Sequence, residues 1–82
     1  MDRLEQITML MELFTLKQRE FEELKIQMRA TRRQIRLLAT IDHSQEQVEQ
    51  VDEELVFQRA QLERITVQQA AILARLEEII QD

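Results

Sequence analysis

Residues 40–47 read TIDHSQEQ. Both flanks of this stretch look like long helix, so the fold turns on whether one helix runs through it or the chain reverses there. Before it, the apolar residues follow a heptad with a at Ile7, Phe14, Phe21, Met28 and Ile35, and d at Leu10, Lys17, Leu24, Thr31 and Leu38. After it, a second heptad sets a at Val48, Leu55, Leu62, Gln69 and Leu76, and d at Val51, Gln58, Ile65, Ile72 and Ile79. Carried forward, the first register would place a at Asp42 and Glu49, so the phase slips by one residue within the stretch. Helix-start chemistry sits at the same place. Ser44 with Gln47, or Asp42 with Gln45, matches a capping box, and Glu46 and Glu49 fall in or near the first turn, where the helix dipole favours negative charge. A continuous helix with a one-residue skip would give the same phase change.

Charge favours the reversal. The net charge of -5 is the sum of unlike halves: residues 1–41 carry eight Lys or Arg against six Asp or Glu, and residues 42–82 carry three against ten. If the chain folds back near His43, residues whose numbers add to about 86 come level. The basic cluster Arg29, Arg32, Arg33 and Arg36 then lies opposite the acidic cluster Glu46, Glu49, Asp52, Glu53 and Glu54. An exposed pair contributes only about 0.2–1 kcal/mol, but the set specifies pairing. In a parallel dimer of straight rods each cluster would meet its own copy. The expectation is an all-α, coiled-coil-like antiparallel hairpin occupying residues 1–82 as a single domain. Its helices cover about 2–41 and 45–81, with a turn at 42–44. Arms of some 38 residues would each be about 57 Å long.

Composition agrees. Glycine, proline, cysteine, tryptophan, tyrosine and asparagine are all absent, so nearly every residue type that punctuates a chain is missing. At 82 residues one core is barely sufficient, and association commonly supplies the missing burial. Without cysteine there is no disulfide, thiolate metal site or cysteine nucleophile. The opening MDRLEQITMLMELF lacks a continuous apolar segment and a small-residue cleavage site. No run approaches the roughly 18 apolar residues of a membrane span. A cytoplasmic protein without membrane attachment is expected.

A two-helix hairpin covers one stripe per arm, so apolar residues outside the seam report a further neighbour. Eight of the thirteen residues from 4 to 16 are apolar, and ten of the sixteen from 65 to 80, but only Val48 and Val51 between 42 and 54. In the hairpin the two rich segments meet at the open end. The candidate partner-binding set is Leu4, Met9, Met11, Leu13 and Leu16 on the first arm, with Val56, Ala60, Val67, Ala70, Ala71, Leu73, Ala74 and Ile80 on the second. Within it, the small residues of the second arm allow a neighbouring helix to approach closely. A dimeric four-helix bundle is the natural closed solution. The bland alternative is that Ala and Met merely fill a loosely packed surface.

Lys17 and Gln69 fall on seam positions and come level, a polar layer of the kind that fixes register or oligomeric state at some cost in stability. Alternatively, Lys17 extends its ammonium to solvent along its aliphatic stem.

Other chemistries fit poorly. His43, flanked by Asp42 and Ser44, cannot easily make the sequential hydrogen bonds of a triad. His43 with Glu46 lacks the paired Glu-x-x-His motifs of carboxylate-bridged metal bundles. No catalytic residue, cofactor or metal ligand is therefore expected. An enzyme of helical chorismate-mutase-like architecture remains the rival of another class, on residue types alone: Lys17, Gln69 and an arginine from 29 to 36. The basic stretch TRRQIR at 31–36 is balanced by acids in an acidic chain with three aromatics, so nucleic acid is not an expected partner, nor is a small-molecule substrate. The sequence thus points to a non-enzymatic interaction or scaffolding module acting through helix packing and self-association. The alternative is a small adaptor or chaperone subunit that completes a larger helical assembly with an unlike partner.

Overall fold

The computed structural model describes residues 2–40 and 45–81. Two helices, α1 (Arg3–Thr40) and α2 (Gln45–Gln81), pack against each other as a hairpin 60 Å long and 16 by 14 Å across. The expected turn at 42–44, with His43 and both capping matches, lies outside the described residues. Their antiparallel sense is plain from which residues meet. Ile7 and Ile80 border one hollow, Leu24 and Gln61 another, and Arg33 and Asp52 a third.

The helices form because Leu, Gln, Glu and Arg lose little side-chain freedom in a helix, and because nothing interrupts the backbone ladder. Asp2 starts α1: its carboxylate accepts a 2.8 Å hydrogen bond from the Glu5 backbone N–H, one of the amides a helix start leaves unpaired. At the open end Arg3 reaches across the seam, donating at 2.7 Å to the carbonyl oxygen of Ile80. That carbonyl belongs to the last turn of α2, so the contact satisfies an unpaired acceptor and sets a cation at the negative pole of the helix.

The seam follows both heptads. Every a and d residue of either arm is buried or half-buried. The best-covered cluster is Leu24, Met28 and Leu55, packed against Ile35, Leu62 and Ile65. This core is thin: among the described residues no large side chain is completely enclosed. A Cα radius of gyration of 18.5 Å contrasts with the roughly 12 Å of a compact domain of this length.

If the seam is the core, Leu55→Ala should cost about 2–5 kcal/mol in urea unfolding. Leu37→Ala, at a position 54% exposed, should change stability by no more than about 0.5 kcal/mol. Equal losses at both positions would place the core elsewhere.

Candidate interaction surfaces

Two antiparallel helices that share an a/d seam have two unlike edges. Along one edge the e positions of both arms run side by side, and along the other the g positions do. On this hairpin the two edges carry different chemistry.

The e edge is apolar in the open half. Ile7, Phe14 and Leu76 of the seam reach the surface there and, with Met11, Leu73 and Ile80, border a hollow of about 320 Å³ to which Thr15 adds the one polar side chain. Nearer the turn, the same edge becomes cationic. Arg29, Arg32, Arg33 and Arg36 of α1 join Arg59 of α2 around a hollow of about 680 Å³ whose single acid is Asp52. The g edge is polar, with Glu20, Gln27, Gln61 and Gln68 bordering a hollow of about 380 Å³.

All thirteen candidate partner-binding residues are exposed, but they do not form one patch. Heptad position divides them into three groups. Leu4, Met11, Leu73 and Ile80 belong to the e edge. Val56, Ala60, Val67, Ala70, Ala71 and Ala74 occupy the face of α2 turned away from the seam. Met9, Leu13 and Leu16 lie on α1 away from the e edge. Counting apolar residues missed three other exposed side chains, Ile26, Leu37 and Phe57, at 63%, 54% and 63%. Each lies in a stretch of mixed charge and polarity, so a window count dilutes it. The available signal was position: all three fall outside a and d.

The charge clusters come level, as the register requires, but among the described residues no ion pair within 4 Å joins one arm to the other. The ion pairs present, Lys17–Glu20 at 3.4 Å and Arg75–Glu78 at 3.0 Å, each lie within one helix, where exposed pairs contribute little. Geometry supplies the reason. Of the five acids only Asp52 holds an e position; Glu46, Glu49 and Glu53 fall on b and f positions around the outside of α2, and Glu54 on the g edge.

Lys17 and Gln69 do not bond to each other. The Lys17 ammonium turns out to Glu20, and Gln69 Nε2 donates at 2.9 Å across the seam to Gln18 Oε1. The polar link between the arms at this level is therefore Gln18–Gln69. Deeper in the seam, Thr31 is 5% exposed and donates to the Gln27 carbonyl oxygen at 3.0 Å. Gln58, 6% exposed, leaves its buried Oε1 without a partner. Among the described residues no group of acidic or histidine side chains could hold a metal ion, and no helix is long and apolar enough to cross a membrane.

No protein family, curated protein or solved structure matches this chain. A functional reading therefore rests on its surface chemistry.

A buried acceptor without a partner costs about 1–3 kcal/mol. Gln58→Met keeps the volume and removes that oxygen, so the urea midpoint should rise. An unchanged or lower midpoint would mean that the amide is satisfied in solution.

Proposed function

We propose that this chain is a protein–protein interaction module that works by helix packing and self-association, with a dimeric four-helix bundle as the assembled form. The observation that carries the proposal is the apolar hollow at the open half of the e edge. There Met11, Leu73 and Ile80 stand 57%, 47% and 61% exposed around seam residues that the hairpin only half covers. Water at such a surface is displaced favourably by another apolar surface, at about 25 cal/mol per Å². Surface area points the same way. The hairpin exposes 6489 Å², against about 5200 Å² for a compact monomer of its 9.9 kDa mass.

A second reading has its own observation. Val56, Phe57 and Val67, on the outer face of α2, are 60%, 63% and 69% exposed. Association through the e edge does not enclose the whole of that face. With Ala60, Ala70 and Ala74 nearby, it suits close approach by a further helix, which favours an adaptor role toward an unlike helical partner.

Multi-angle light scattering tests the first reading. The wild-type chain should weigh twice 9.9 kDa, and Leu73→Glu should return it to the single-chain mass. Val67→Glu, on the outer face, should leave the dimer intact. A wild-type chain that stays monomeric at high micromolar concentration would defeat self-association.

A further inference from the structure

We propose that the cationic hollow in the turn half of the e edge docks an acidic amphipathic helix of an unlike protein, which sets its carboxylates against the arginines and its apolar side chains against Ile35 and Leu55. The proposal is independent of self-association, which uses the open half of the same edge. Copies that overlap through their open halves leave this hollow free, and its arginines repel those of another copy laid over them.

The starting point is an imbalance. Five arginines border the hollow with Asp52 as their single acid, and among the described residues none of the five forms an ion pair. All five are exposed. Arg29, Arg32, Arg33 and Arg36 follow the i, i+3, i+4, i+7 spacing of one helical stripe. They therefore make a row about 10 Å long, in which like charges four residues apart repel. The chain's own carboxylates do not relieve this, because Glu46, Glu49 and Glu53 lie around the outside of α2 and Glu54 on the g edge. A partner that brings acids to the row removes a repulsion that the hairpin otherwise carries alone.

Three features select the class of partner. The hollow lies between two neighbouring helices and measures about 680 Å³, far more than a single anionic group fills. A third helix seats along such a groove, and its side chains repeat on the same spacing as the arginine row. Carboxylates four residues apart then come level with successive guanidinium groups, each of which can hold a carboxylate through two parallel N–H donors. The second feature is the apolar lining from the seam residues Ile35 and Leu55, which a phosphate backbone does not use. The third is how short the cationic stretch is. Exposed Glu46 and Glu49 follow it toward the turn, so a nucleic-acid strand, charged at every nucleotide, would run from the row onto those acids. A helix can end its carboxylates where the arginines end.

Fluorescence anisotropy with the full chain and labelled probes tests the occupant. The probes are an amphipathic helical peptide of Glu, Leu and Ala, the same peptide with Gln for Glu, the same peptide with Ala for Leu, and a single-stranded oligothymidylate. The first should bind more tightly than the other three, and ionic strength of about 1 M, where the Debye length is about 3 Å, should weaken it. Equal binding of the leucine-free peptide would reduce the site to bulk electrostatics and overturn helix docking. Tighter binding of the oligonucleotide, or of phosphatidylserine vesicles, would overturn the choice of partner. No binding of the acidic peptide at high micromolar concentration would overturn the proposal outright. A monomeric chain that binds the peptide would defeat self-association and leave this proposal standing.

Substitution tests the place. Arg32→Gln with Arg36→Gln should weaken the acidic peptide by about tenfold or more. Arg19→Gln with Arg64→Gln makes the same change in net charge away from the hollow and should weaken it by no more than about twofold, as expected for screened charges at a distance. Equal losses in the two variants would overturn the assignment to the hollow. Circular dichroism checks that each variant keeps wild-type helicity, which is expected because none of these four arginines forms an ion pair among the described residues. If the first pair loses helix, Arg33→Gln alone takes its place, and an unchanged affinity there would count against the site.

Discussion

Antiparallel packing of two aliphatic stripes, each a layer facing a d layer of the other arm, is the constraint on which this structure depends. It joins the arms, sets which residues come level, and limits what the chain can bury alone. Two helices enclose a line of contact, whereas four enclose a volume. The residues of the seam show that limit: Leu24, Met28 and Leu55 are nearly covered, while Ile7, Phe14 and Leu76 stay partly open to solvent at the end where the apolar residues are densest. The same packing that makes the hairpin therefore leaves it with an unfinished core, and the place where it is unfinished is fixed by sequence.

The unlike edges follow from this. Once two heptads lock in antiparallel register, e meets e and g meets g, and no residue can change edge without rotating a whole helix. The sequence places Leu4, Met11, Leu73 and Ile80 at e in one half and Arg32, Asp52 and Arg59 at e in the other. At g it places mainly glutamine and glutamate. One edge is thus patterned along its length, and the other is nearly uniform and polar. A patterned edge distinguishes one orientation of a neighbour from its reverse, which a uniform edge cannot do.

The fold was legible because its signal is periodic and local. Ten seam positions on each arm could be named from spacing; the one-residue slip between Leu38 and Val48 fitted a reversal and a continuous helix alike, and the opposed charge of the two halves decided for the reversal. The surfaces were less legible for a physical reason. An edge is a joint property of two helices, defined only once both registers and their relative height are known. Counting apolar residues along each arm found exposed side chains yet merged three faces into one open end. It likewise set Arg29–Arg36 against all five acids, although only Asp52 borders the hollow that those arginines line. The Asp2 cap and the Arg3 contact with Ile80 depend on the geometry of helix ends, which heptad spacing does not report. The link between Gln18 and Gln69 was one position away from the pair that spacing suggested, because Lys17 is long enough to leave the seam and Gln18, at e, is placed to replace it.

The polar residues of the seam bear on how folding and association relate. Thr31 hides its hydroxyl by bonding to its own helix, so it asks nothing of the other arm. Gln58 does not, and a buried amide oxygen without a donor subtracts from a core that is already thin. A hairpin with so little surplus gains from any contact that only the folded form can make. The gain grows with the concentration of the partner, so stability and assembly become one linked equilibrium. On that view the thin seam and the apolar edge are not separate features. Under the proposed self-association, burial at the edge would offset the unpaired Gln58 oxygen in the seam.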